Sequence, residues 1–79
     1  MQRIKQDAAL GNNIREMRRA AGMTQEQVAA KLQLAGCDMS RSVYSQIECG
    51  THGIRANELV ALKKLFGVEY GAFFEGMDA

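Results

Sequence analysis

A short stretch at residues 40–50 has an apolar side and a polar side when it is drawn as a helix. Tyr44 and Ile47 mark the apolar side. A rotation of about 100° per residue places a second set of side chains on the opposite face. This polar strip is flanked at its N-terminal end by Arg41 and consists of Ser42, Ser45, Gln46 and Cys49. Because the strip lacks exposed apolar residues, it favours directional hydrogen bonding over contact with an apolar groove.

Arg41 and Gln46 carry the side chains that best match the edges of nucleobases. A guanidinium can donate two hydrogen bonds to O6 and N7 of guanine, and a glutamine amide can pair with N6 and N7 of adenine in the major groove. Ser42 suits either a base or a phosphate. Glutamine is also a common surface residue on helices, but the position of Gln46 on the strip favours recognition. The chemistry predicted for this strip is contact with double-stranded DNA.

Catalytic chemistry has little support in the sequence. There is no Ser-His-Asp constellation, glycine-rich phosphate loop or paired carboxylate motif. His52 is the sole histidine and follows Gly50 in a predicted loop. Together with Cys37 and Cys49 it lacks the ligand spacing of a zinc site. We expect no enzyme activity, no catalytic residue, no metal and no cofactor.

The 79 residues suit one small domain. Proline and tryptophan are absent, and good helix formers fill most of the chain, which predicts an all-α fold. Residues 1–41 carry seven Lys and Arg against four Asp and Glu, a weak cationic bias that suits an anionic partner. No apolar stretch approaches the roughly 20 residues of a membrane span, and no signal peptide is visible. We therefore expect a cytoplasmic protein with reduced thiols and no membrane partner.

Helical spacing and capping signals predict about five short helices. The first begins near Leu10. Thr24 and Gln27 form a capping box that starts the second, and Ser40 caps a third at residues 41–49 that Gly50 ends. A fourth runs from about 57 to 66, and a short one from about 70 to 75. We assign residues 1–9 to a partly ordered N-terminal extension and 10–76 to a single domain.

The order of these elements and several of their motifs resemble one known family. The segments TQEQVA at 24–29 and SRSVYSQIECG at 40–50 carry the resemblance, together with IREMR at 14–18 and LKKLFGV at 62–68. Over roughly residues 10–76 the chain resembles the phage-repressor type of helix-turn-helix domain, the Xre or Cro-like family. The resemblance implies a lambda-repressor-like bundle with the helix at 41–49 as its recognition helix. It also implies a transcriptional regulator, most simply a repressor.

The resemblance assigns roles to individual positions. Arg41, Ser42 and Gln46 match the residues that contact bases. The glutamine that matches Gln25 contacts the DNA backbone and helps to orient the recognition helix.

Three further residues are candidates for phosphate contact. Thr24 and Ser40 lie at helix N-termini, where free N–H groups favour anions, although both also serve as caps. Ser45 is the third candidate for phosphate contact, because it lies on the polar strip of the third helix. Arg15, Arg19 and Lys31 provide either long-range attraction or an ordinary solvated face.

Arg18 and Glu48 match an ion pair that joins the first and third helices in the family, and Glu48 lies beside the core face on the helical wheel. We interpret this pair as a strut that orients the third helix, and not as a DNA contact and a catalytic acid.

One feature departs from the family pattern. The turn at residues 33–39, Gln33 to Met39, is longer than usual by about five residues. It could extend the second helix, lift the recognition helix or contact the DNA backbone itself, and the sequence does not choose among these.

The C-terminal segment contains candidates for a contact between two copies of the chain. Residues 68–75 hold three of the five aromatic residues. Phe73 is the expected core anchor, which leaves Tyr70 and Phe74 as candidates for a contact between two copies or for a cap on the core edge. We expect a homodimer on a palindromic operator. The alternative is a protein-binding adaptor or antitoxin-like module that uses the same fold to hold a protein partner.

Overall fold

The described residues form five α-helices, as the sequence predicts. The computed structural model describes the backbone of residues 2–77 and the side chains from Ala8 to Met77. The helices are α1 (Gln2–Ala20), α2 (Gln25–Leu34), α3 (Arg41–Cys49), α4 (Ala56–Phe66) and α5 (Tyr70–Phe73). Residues 2–77 contain no strand, which confirms the all-α fold. Within this range no helix combines the length and the apolar character that crossing a membrane requires.

The first and last helices differ in length from the prediction. α1 begins at Gln2 rather than near Leu10, so most of the predicted extension, residues 1–9, belongs to this helix. The side chains of residues 1–7 lie outside the described part of the chain. α5 ends at Phe73, and a turn follows where the prediction continued the helix to Glu75.

The capping signals in the sequence operate as predicted. The hydroxyl of Thr24 accepts the backbone N–H of Gln27, and the Gln27 side chain accepts the N–H of Thr24 at 2.8 Å. Ser40 accepts the N–H of Val43 at 3.1 Å. At the other end of α3, Gly50 has φ +80°, the left-handed conformation that favours glycine at a helix C-terminus. The boundaries of α3 are therefore set by local interactions.

Every helix contributes at least one fully buried side chain to a single core. These residues are Ile14, Leu32, Tyr44, Leu62 and Phe73, one from each helix in chain order. Burial of a large apolar side chain stabilises a fold by about 1.5–3 kcal/mol. Because α5 has only four residues, its position depends chiefly on Phe73 and on Asn13. The amide of Asn13 donates to the carbonyls of Phe73 at 2.8 Å and Glu75 at 2.9 Å.

The long turn between α2 and α3 is packed into the protein rather than swung away from it. Cys37 and Met39 are buried in the core. The N–H of Cys37 donates to the carbonyl of Leu32 at 2.9 Å, and the amide of Gln33 donates to the carbonyl of Met39. α2 ends at Leu34 and is not extended by the additional residues. The turn thus places the N-terminus of α3 through two buried anchors.

α1 and α3 approach each other at backbone distance. A Cβ built on Gly11 would lie 2.5 Å from the carbonyl oxygen of Glu48 and closer still to that of Ile47. Near the same crossing, a Cβ on Gly50 would lie 2.5 Å from the Cα of Ala8. Glycine inside a helix costs about 0.5–1 kcal/mol relative to alanine, so the close approach is the physical reason for Gly11. The first helix therefore lies directly against the C-terminal end of α3.

We predict that Gly11→Ala lowers the free energy of unfolding by about 1–3 kcal/mol, although alanine is the better helix former. The added methyl group meets backbone oxygens that cannot rotate away, so α1 and α3 must separate. Gly71→Ala is the matched control, because Gly71 is also helical and has open space at its Cβ position. Urea denaturation of both variants measures the difference. A Gly11 variant as stable as the control would show that α1 and α3 do not pack this closely.

Candidate nucleic-acid interface

The outward face of α3 carries the residues predicted to contact bases. Arg41, Ser42 and Gln46 are exposed. Ser45 is half-buried. The opposite face is fixed in the protein interior, where Tyr44, Ile47 and Glu48 are buried. The last strip residue, Cys49, is also exposed. α3 therefore presents a polar face to solvent while its opposite face is packed in the protein interior.

The predicted phosphate-contacting residues lie at the starts of α2 and α3. Thr24 and Ser40 are exposed, and each uses a hydroxyl lone pair to accept a backbone N–H. Each hydroxyl still has its own proton to donate. Gln25 is half-buried, and its amide nitrogen donates to Oε1 of Glu48 at 3.0 Å. Since a glutamine amide carries two N–H groups, one of them is left for another acceptor.

A buried carboxylate on α3 joins three helices. Oε2 of Glu48 accepts the Nε–H of Arg18 at 2.7 Å, and Oε1 accepts the Nη2–H of the same guanidinium at 3.1 Å. Arg18 also donates from Nη1 to the carbonyl of Met23 at 3.0 Å, just before α2. With the bond from Gln25, Glu48 connects α3 to both α1 and the start of α2. The structure thus brings together the pair that sequence analysis interpreted as a strut.

The charge on Glu48 is stabilised despite its burial. Burial by itself would raise the pKa of the Glu48 carboxyl, but the hydrogen bonds from Arg18, the nearby Tyr44 hydroxyl, the hydrogen bond from Gln25 and the positive charge of Arg18 hold that pKa below its ordinary value. Burial raises the pKa of the neighbouring Tyr44, and the Glu48 carboxylate raises it further. The Tyr44 hydroxyl is buried without a hydrogen-bond partner among the described residues. The site therefore has one buried anion, one partly buried cation and a neutral phenol.

Sequence reasoning missed part of this arrangement. The hydrogen bond from Gln25 to Glu48 joins residues 23 positions apart. Glu48 also has a second arginine nearby, because the Nε of Arg15 lies 3.6 Å from its Oε1. The spacing of Arg15 and Arg18 on one helix is the sequence signal that could have suggested a shared partner, since residues three apart lie on the same helical face.

The C-terminal aromatic residues separate as predicted into one core residue and two surface residues. Phe73 is fully buried, whereas Tyr70 is 43% exposed and Phe74 is 46% exposed. The ammonium of Lys63 lies 5.2 Å from the centre of the Tyr70 ring, a cation–π distance. Phe74 is also exposed, and no cation–π contact to its ring is found among the described residues.

Other polar and apolar residues have positions that the sequence did not indicate. Leu34 is 82% exposed at the end of α2. Glu58 is buried at the start of α4, where its carboxylate accepts the N–H of Arg55 at 2.8 Å. Cys37 is buried in the turn before α3. Across residues 8–77 no group of three or more His, Cys, Asp or Glu side chains has a geometry that could hold a metal ion.

The chain also matches a known protein family. Residues 9–72 match the model of a family described as a helix-turn-helix domain. The match extends from within α1 to within α5 and includes both Arg18 and Glu48. Neither curated proteins nor solved structures gave a significant match.

Acid should weaken the fold through Glu48. Its pKa in the folded protein is lowered from the ordinary value of 4.5, so the stability that the carboxylate contributes is present above about pH 4.5 and is lost as the pH falls through the folded-state pKa. We predict that Glu48→Gln reduces stability near neutral pH and flattens the loss of stability between about pH 5 and pH 3. Urea midpoints measured across this range test the prediction.

Glu69→Gln serves as the control for this measurement, because it removes an exposed carboxylate from outside the Glu48 cluster. The control should keep the wild-type pH dependence. If Glu48→Gln also kept it, the buried carboxylate would not be the group that responds to acid.

Proposed function

The chain belongs to the helix-turn-helix domain family, and on this basis we propose that it is a sequence-specific transcriptional repressor that inserts α3 into the major groove of double-stranded DNA. Membership confirms the helix-turn-helix family, and it supports the resemblance to the phage-repressor type of domain. It supports DNA binding and a role in regulating transcription rather than in catalysis. We place this activity in the cytoplasm, where both thiols stay reduced.

The proposal is carried by the exposed polar face of α3. Arg41, Ser42 and Gln46 project from a helix whose opposite face is held by Tyr44, Ile47 and Glu48. An α-helix fits the major groove, and the N-terminal residues of a recognition helix are those that approach base edges. In this proposal Arg41 contacts a guanine, Gln46 contacts an adenine, and Ser42 adapts to the base between them or beside them.

Phosphate contacts supply affinity and fix the register of the domain on the duplex. We assign them to Thr24, Gln25, Ser40 and Ser45. The first three lie at the starts of α2 and α3, where free backbone N–H groups and the helix dipole favour an anion. These contacts depend little on sequence, which separates them experimentally from the contacts of Arg41.

We further propose that the protein acts as a homodimer on a palindromic operator. One short helix contacts only a few base pairs, and repressors of this type bind two half-sites about one helical turn, roughly 34 Å, apart. Tyr70 and Phe74 supply the contact between copies, because they are the exposed aromatic residues of the C-terminal segment. Since Tyr70 already packs against Lys63, Phe74 is the more direct residue to test.

A second candidate function is a protein-binding adaptor or antitoxin-like module. The observation in its favour is the exposed Leu34, which together with Tyr70 and Phe74 gives the surface several large apolar side chains. The two functions differ in a simple binding experiment. A DNA regulator should select particular duplexes from a random library, and its affinity should fall steeply with salt. Failure to enrich any sequence, with no salt-dependent binding, would favour the adaptor.

Arg41→Ala should weaken binding to the selected operator by about 1–3 kcal/mol and relax the preference at one base pair, because it removes a two-point contact with a base. Gln25→Ala should weaken all duplexes by a similar factor. Lys64→Ala is the control, since it removes an exposed positive charge on α4, outside α2 and α3. Titrations against the operator and against scrambled duplexes measure the effects. An equal loss on every duplex would make Arg41 a phosphate contact.

Phe74→Ala should reduce the cooperativity of binding to two half-sites more than it reduces affinity for one. Truncating the ring removes apolar area from the contact between copies and leaves α3 and the core residue Phe73 in place. Titrations on DNA with one and with two half-sites, combined with sedimentation of the free protein, provide the measurement. Independent binding to the two half-sites by the wild-type protein would rule out the dimer.

A further inference from the structure

Arg15 lies beside Gln25 at the edge of the Glu48 cluster. The Nε of Arg15 is 3.6 Å from Oε1 of Glu48, and the amide nitrogen of Gln25 is 3.0 Å from the same oxygen. The Nε of Arg15 and the amide nitrogen of Gln25 can therefore be no farther apart than the sum of their two distances to Oε1. Arg15 belongs to α1 and Gln25 begins α2. One carboxylate oxygen thus attracts donor groups from two helices to the same edge of the cluster.

The charge of the cluster is not balanced by Glu48 alone. Arg18 neutralises the carboxylate through a two-point hydrogen-bonded ion pair. Arg15 approaches the same carboxylate through a longer ion pair, at 3.6 Å, and its guanidinium makes no side-chain hydrogen bond among the described residues. Two guanidinium charges and one carboxylate charge leave one positive charge at this position. The Arg15 side chain is 32% exposed, so this surplus charge is open to solvent.

We propose that Arg15 and Gln25 form one binding site for a DNA backbone phosphate, with Glu48 as the residue that positions both. The site rests on the proposed DNA-binding function and adds to it a direct contact from α1. A guanidinium presents several N–H groups in a plane and suits the oxygens of a phosphate. The second N–H of the Gln25 amide supplies a further donor beside it. Because Glu48 is part of α3, the same carboxylate places the phosphate site relative to the recognition helix.

Arg19 provides a matched comparison on the same helix. Its guanidinium pairs with Glu16 at 3.4 Å, and both side chains are more than half exposed, with Arg19 at 62%. Arg19 therefore carries the same charge as Arg15 but is not held against the α2 start by the buried cluster. A general attraction between α1 and DNA would depend on both arginines alike. A built phosphate site depends on Arg15.

The experiment compares Arg15→Ala, Arg15→Lys and Arg19→Ala in titrations of one duplex at several salt concentrations. A scrambled duplex is included, because a phosphate contact is independent of sequence. We expect Arg15→Ala to lose about tenfold in affinity on both duplexes. The slope of log affinity against log salt should fall by about 0.9, the value for one phosphate contact. Arg15→Lys should fall between the wild type and Arg15→Ala, since it keeps the charge without the planar fork.

Arg19→Ala should change affinity much less than Arg15→Ala. Thermal melts establish a temperature at which each variant is folded, and Arg15→Lys retains a positive side chain if Arg15→Ala is too unstable to titrate. Equal losses from Arg15→Ala and Arg19→Ala would overturn the phosphate site and leave the proposed function intact. Absence of any duplex binding by the wild-type protein would instead overturn the proposed function and the site with it.

Discussion

The buried carboxylate of Glu48 is the constraint on which the rest of the structure depends. A charge removed from water costs several kcal/mol unless it is paired and hydrogen-bonded. Glu48 meets this requirement through Arg18 on α1 and Gln25 at the start of α2. These partners leave little freedom in the angle of α3, because a shift of that helix would separate the charges. The pair therefore contributes more to the orientation of α3 than to net stability.

The close approach of α1 and α3 complements this electrostatic constraint. Gly11 allows the α1 backbone to reach the carbonyl oxygens at the end of α3, the same end that carries Glu48. On the far side, Cys37 and Met39 anchor the long turn that leads into α3. α3 is thus supported along its length, and its polar strip remains open. This arrangement gives a chain of 79 residues a firmly positioned polar helix face on a small core.

The parts of this structure that follow from local chemistry could be predicted from the sequence. Thr24, Ser40 and Gly50 mark helix ends through interactions with residues no more than a few positions away, and α3 therefore has the predicted bounds. The association of Arg18 with Glu48 was available only through the family resemblance. The role of Gly11 depends on a distant backbone, and the bond from Gln25 to Glu48 spans 23 residues. Such contacts leave no periodic pattern in the chain.

The turn at residues 33–39 shows the same division between local and distant causes. The length of the turn and Gly36 predict an irregular segment. The burial of Cys37 depends instead on the position of α4, because the Cys37 thiol lies 3.9 Å from the carbonyl oxygen of Asn57.

The central claim, that the pairing of Arg18 with Glu48 orients α3, is tested most directly by a double-mutant cycle on unfolding free energy with Arg18→Met and Glu48→Met. We predict that each single variant loses about 3–5 kcal/mol and that the double variant loses far less than the sum. Additive losses would contradict the claim.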